Sequence, residues 1–103
     1  MYIIDELRQN NKEENIVISL HGQIRLSERK ISVDDVIKVI DTGEIIEEYP
    51  DDFPFESCLV LGRSINERKL HVVVSMNEGI IYLITAYYPD EDRWEADLKT
   101  RKR

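Results

Sequence analysis

Apolar and polar positions divide this chain into a helical first part and a strand-like second part. Tyr2, Ile3, Ile4 and Leu7 recur at helical intervals before the sequence turns polar, so a short helix is expected within residues 2–13. "NIVI" (Asn15 to Ile18) is a brief β-branched run, read as an edge strand or an extended entry. Ser19 then suits a helix N-cap. Leu20, Ile24 and Ile31 follow at i, i+4 and i+11, which predicts one buried helical stripe. "SVDDVIKVIDTGE" is the clearest local signal. Ser32 with Asp35 forms a capping-box start, Val33, Val36, Ile37 and Ile40 make the apolar stripe, and Gly43 marks the stop.

After Gly43 the period changes to that of strands. "EIIEEY" reads as a strand, "PDDFPF" as a loop, and "SCLVLGRSI" as a strand. "NERK" is a turn before "LHVVVSM", and "NEG" is a tight turn before "IIYLITAYY". "PDEDRWEADLKTRKR" closes the chain as an acidic and then basic tail. Strands joined by such short turns pair as antiparallel neighbours. The pattern predicts a single α+β domain over residues 1–103, with N-terminal helices packed on an antiparallel sheet of about four strands and residues 95–103 as a charged tail.

Composition narrows the class. The chain has 103 residues, 42% apolar and 34% charged, which is globular and not disordered. The single cysteine, Cys58, excludes an internal disulfide and a cysteine-rich zinc framework; lying in "CLVLG", it reads as a small buried hydrophobe. The N-terminal stretch lacks an apolar signal-peptide core, and no run approaches the roughly 20 apolar residues of a membrane span. A cytoplasmic setting without membrane contact fits. The net charge of −7 argues against a generic nucleic-acid binder, but it is unevenly spread. Glu44 to Glu56 holds six acids and no base, whereas "KTRKR" holds four bases in five residues.

The candidate chemistry starts from His21, Arg25 and Arg29, which advance by four along the predicted helix. They form a ridge about 100° around from the apolar stripe, between core and water. His71 lies in the central predicted strand. If the strands on either side of "NEG" pair in ordinary register, His71 falls near Thr85 and Tyr87. A site of His21, Arg25, Arg29, His71 and Tyr87 holds two imidazoles, two fixed cations and a phenol. Arginines stabilise charge on a phosphorane-like transition state, and imidazoles move protons to and from ribose oxygens. Such a site cleaves RNA without a metal or other cofactor. The same cations also suit plain anion binding.

Each residue has a plain structural reading too. His21 and His71 fit as hydrogen-bonded residues at the core edge, and Arg25 and Arg29 fit as partners of the acids in Glu44 to Glu56. Tyr87, Tyr88 and Trp94 fit as packing aromatics, and the basic tail as a solvated end. With two histidines fifty residues apart, no metal-ligand spacing stands out.

The order of the motifs is more specific than any one of them. "H-x-x-x-R-x-x-x-R-x-I-S-x-x-D-V" runs from His21 to Val36, followed by "T-G-E-I-I-E-E-Y", "L-V-L-G-R", "L-H-V-V-V" and "I-T-A-Y-Y-P", with Trp94 just behind. This series resembles the domain of unknown function 4258 family over about residues 16–94. The resemblance implies a branch of the RelE/barnase-like fold group, in which many members are ribonuclease toxins paired with antitoxins. It further implies a metal-independent ribonuclease with His21, Arg25 and Arg29 on the shoulder and His71 on the sheet. Tyr49, Gly62, Thr85, Tyr87 and Pro89 also match. The partners implied are an antitoxin protein and RNA or the ribosome. The rival expectation is a non-catalytic interaction module, or a degenerate toxin fold. It rests on the acidic loop with Phe53 and Phe55, which could dock a basic partner or a second copy as a homodimer.

Overall fold

The computed structural model describes residues 2–103. In chain order the elements are α1 (Ile4–Gln9), a 3-10 turn (Glu13–Asn15), β1 (Ile16–Ile18), α2 (Leu20–Arg29), α3 (Val33–Thr42), β2 (Glu44–Tyr49), β3 (Ser57–Arg63), β4 (Lys69–Asn77) and β5 (Ile80–Tyr87). The α+β class stands, but the sheet has five strands in the order β1-β5-β4-β3-β2. Strands β2 to β5 form the antiparallel meander expected from the turns. The correction is β1, which pairs parallel to β5, with Ile16 opposite Ile81 and Ile18 opposite Leu83. β5 ends the meander and leaves one edge open. The short "IVI" run covers the first half of that edge.

The capping box of α3 forms as its residues predict. The Ser32 hydroxyl accepts from the Asp35 N–H at 3.0 Å, and the Asp35 carboxylate accepts from the Ser32 N–H at 2.9 Å. Asp35 also accepts from the Ile65 N–H at 2.9 Å, which ties the helix start to the β3–β4 turn. Val36, Val39 and Ile40 are fully buried. A Cβ on Gly62 would lie 2.9 Å from the Val39 Cα, so α3 rests directly on β3 there. Arg8 of α1 reaches the far end of α3 and donates to the Ile40 and Gly43 carbonyls at 3.0 and 2.7 Å. Those carbonyls at a helix C-terminus would otherwise lack partners.

α2 sits differently from the sequence expectation. Ile31 is buried, but Leu20 is 74% and Ile24 49% exposed. The buried anchor is Leu26, with Gly22 one turn before it. Gly22 faces β1, where an added Cβ would come within 3.1 Å of Ile18 Cγ2. Small Gly22 lets the helix lie close to β1, and this rotates Leu26 and Arg29 towards β5. Lys30 closes the helix in the left-handed conformation, and the Ile31 N–H returns to the Leu26 carbonyl at 2.9 Å.

Alternation divides the sheet into two faces. Val60, Leu70, Val72, Val74, Ile81, Leu83 and Ala86 join the helices in the core cluster. On the other face Leu59, Leu61 and His71 are buried too, and His71 lies against Trp94 and Leu98 of the C-terminal tail. The basic end of that tail is exposed, as read, but it is also tied to the sheet. Trp94 is 3% exposed and bridges to Arg101 through the backbone. Arg101 forks onto Glu47, and Lys99 pairs with Glu44. Cys58 is buried, and burial, with Glu48 and Glu56 nearby, pushes its thiol up to about 12. No helix of the described residues is long and apolar enough to cross a membrane.

Candidate functional site

A groove opens where β1 stops and α2 begins. β1 accompanies β5 only as far as Leu83. At that point β5 carries a bulge: Val74 pairs with Leu83 and Val73 with Thr85, which leaves Ile84 as the extra residue. A bulge bends its strand and breaks the ladder. The bent, uncovered edge faces the first two turns of α2 across a hollow of about 360 Å³. This lies within the range of small-ligand pockets, about 300–1,000 Å³.

His21, Arg25 and Arg29 all line that hollow, with Ser19, Leu83 and Thr85 opposite or beside them. Ser19 caps the helix, its hydroxyl accepting from the Gly22 N–H at 3.0 Å. Arg29 is half-buried. Its Nη1 donates to the Ala86 carbonyl at 2.8 Å and to the Thr85 hydroxyl at 3.2 Å. One edge of the guanidinium is therefore fixed to the strand. Arg25 and His21 are exposed, and neither has a hydrogen-bond or ion-pair partner among the described residues. The acids of β2 do not reach this ridge, because β2 is the far edge strand of the sheet from β1 and β5; Glu44 and Glu47 pair with Lys99 and Arg101 instead. The groove thus presents one pinned cation, one free cation and one free imidazole.

His71 and Tyr87 stand directly opposite each other; an unbroken ladder from the Asn77–Ile80 pair would put His71 opposite Ala86, and the extra residue at Ile84 moves it to Tyr87. They belong to the sheet face away from the helices and do not join the groove. His71 is 0% exposed. Its Nε2 lies 2.8 Å from the Leu98 carbonyl, and its Nδ1 lies 3.3 Å from the Tyr87 hydroxyl. A carbonyl only accepts, so Nε2 carries the proton and Nδ1 accepts from Tyr87. The ring packs edge-on against Tyr87 and Trp94, with centroids 5.3 and 4.6 Å away. Burial holds this imidazole below its ordinary pKa, and the Leu98 carbonyl and Glu47 offset part of that effect. Burial likewise raises the Tyr87 phenol.

Around them lies a network of hydrogen bonds and ring contacts. Arg101 stacks over Trp94 at 4.6 Å and grips Glu47, which also accepts from the Tyr49 hydroxyl at 2.6 Å. Burial and the Glu47 hydrogen bond push the Tyr49 phenol up to about 12. The five residues predicted from sequence therefore fall into two sets: His21, Arg25 and Arg29 around an open hollow, and His71 with Tyr87 inside a packed layer. The bulge at Ile84 and the role of Thr85 in pinning Arg29 were missing from the sequence reading. A bulge leaves no fixed sequence mark, and the one trace was a lone threonine in an apolar run. Among the described residues no His, Cys, Asp and Glu side chains gather in threes as metal ligands.

The fold and the groove together define a small α+β domain with a cationic helix–strand cleft. Residues 18–88 match the family model for a domain of unknown function, DUF4258. This span covers more than half of the chain, which belongs to that family. It runs from the end of β1 to just beyond β5 and so contains every groove residue. No curated protein and no solved structure matches the chain.

Proposed function

We propose that this protein is a metal-independent ribonuclease of the toxin type, with a RelE-like fold, acting from the groove between α2 and β5. The observation that carries the reading is the unpartnered Arg25 beside His21 and the strand-pinned Arg29. A fixed guanidinium and a free one, facing an open hollow, suit a phosphodiester that gains negative charge during reaction. In this scheme His21 takes the proton of the ribose 2′-hydroxyl. The 2′-oxygen attacks phosphorus and the bond to the 5′-oxygen breaks. A 2′,3′-cyclic phosphate and a 5′-hydroxyl result, the latter taking its proton from water in the open groove. Arg25 and Arg29 hold the non-bridging oxygens. His71 and Tyr87 support the sheet behind the groove and do not touch substrate, since both nitrogens of His71 are engaged and the ring is buried. A cytoplasmic antitoxin protein is the partner expected for such an enzyme.

The test is incubation of purified protein with a labelled oligoribonucleotide in EDTA. Cleavage should persist in the chelator, stop when the 2′-hydroxyls are replaced by hydrogen, and disappear in Arg25→Ala and His21→Ala. A His21/Arg25 double variant that still cleaves would rule the scheme out. A second reading, a non-catalytic interaction module, is favoured by the 95% exposure of Phe53 on its acidic loop. Absence of cleavage together with a stable dimer in light scattering would select it.

A further inference from the structure

The acidic loop and the groove carry complementary, unsatisfied chemistry. We propose that a second copy of this chain docks its β2–β3 loop, at Asp51 and Phe53, into the α2–β5 groove, and that two copies exchange loops in this way to form a dimer. The loop is held at its base. The Asp52 carboxylate accepts from the Ser57 hydroxyl, and Phe55 stacks on Tyr82 with ring centroids 5.8 Å apart. Its tip is not held. Phe53 is the most exposed large hydrophobic residue described, at 95%, and Asp51 has no partner among the described residues. An aromatic side chain with a carboxylate beside it is thus presented on a braced support.

The groove supplies what that tip lacks. Arg25 is an unpaired cation in the groove, and Ile84, which lines the same groove from β5, is an exposed apolar side chain; Leu20 and Ile24 of α2 are exposed as well. An Arg25–Asp51 contact places opposite charges together, and Phe53 covers apolar surface that the fold leaves in water. The occupant is a second copy because the charge match lies within the chain itself. With a net charge of −7, copies repel elsewhere on their surfaces, so the cationic groove is the favoured landing place for an acidic loop. Two reciprocal contacts related by a two-fold axis close the assembly, whereas a single head-to-tail contact would extend it. The loop carboxylate takes the place an RNA phosphate would occupy, so the dimer is closed to RNA. The self-association itself holds whether or not the groove cleaves RNA.

Sedimentation velocity over a range of protein concentrations tests this without reference to activity. Wild type should show a reversible monomer–dimer equilibrium that weakens with added salt. Phe53→Ser and Arg25→Glu should each raise the dimer dissociation constant by about ten-fold or more. Both side chains are exposed, so folding should be unaffected, as a thermal melt would verify. The charge swap Arg25→Glu with Asp51→Arg should restore association. A chain that stays monomeric throughout overturns the proposal, as does a dimer indifferent to both single variants. Single-variant weakening without recovery in the swap also overturns it, by placing the contact elsewhere.

Discussion

The two faces of the sheet use the same residue types in opposite ways. On the helix side, His21 and Arg25 are exposed and unpartnered, and Arg29 is fixed by one edge only. On the tail side, His71 is buried with both nitrogens engaged, and Arg101 is committed to Glu47 and Trp94. A histidine or arginine is therefore not a site by virtue of its type. What separates the faces is whether the partners that satisfy it are already within the protein. The α2–β5 side gathers an unpartnered cation and an unpartnered imidazole beside a strand-pinned arginine.

The largest effect is expected on activity. Arg25→Ala or His21→Ala should lower RNA cleavage by about 10²–10⁴-fold, with a melting temperature close to wild type. His71→Ala should do the reverse, costing about 3 kcal/mol of stability in urea titrations through the lost ring and the stranded Leu98 and Tyr87 groups. Equal behaviour of the two histidines would dissolve the distinction.

A pH effect on stability should follow from His71. Its folded pKa is depressed, so the unfolded chain binds the proton first. Stability is then full above the ordinary imidazole value and declines as pH falls through it towards the depressed one. Urea midpoints between about pH 7 and pH 5 should fall for wild type and fall less for His71→Asn. Glu47 is lowered because the Arg101 and Tyr49 hydrogen bonds outweigh its burial, so its contribution is lost only at more acidic pH. The smallest effect is expected for Arg101→Ala. The pair is partly exposed, and its loss should cost no more than about 1 kcal/mol in the same titration.

What the sequence revealed follows how local each feature is. The Ser32–Asp35 capping box and the α3 stripe depend on residues within one helix; the box forms as read, while the stripe keeps Val36 and Ile40 but buries Val39 in place of Val33 and Ile37, which are half-buried. The "NEG" turn made His71 legible as a neighbour of the Thr85–Tyr87 end, but its exact partner was not, because the bulge at Ile84 shifts the ladder by one residue. The facing of α2 was not legible. Leu20 and Ile24 looked buried by period, but the close approach of Gly22 to Ile18 and the reach of Arg29 to β5 turn them outward. Both contacts are tertiary. The tail was unreadable for the same reason, since Lys99 and Arg101 find Glu44 and Glu47 more than fifty residues away. The ridge of His21, Arg25 and Arg29 was visible as a spacing, but the hollow beside it depends on where β1 ends and β5 bulges.

The most direct test is a nuclear magnetic resonance titration with a short 2′-O-methyl oligoribonucleotide, which binds but cannot be cut. The account predicts amide shifts concentrated at Ser19, Gly22, Arg25 and Thr85, with the Trp94 indole and its neighbours unmoved. Shifts centred on Trp94 and Arg101, or none at saturating oligonucleotide, would contradict it.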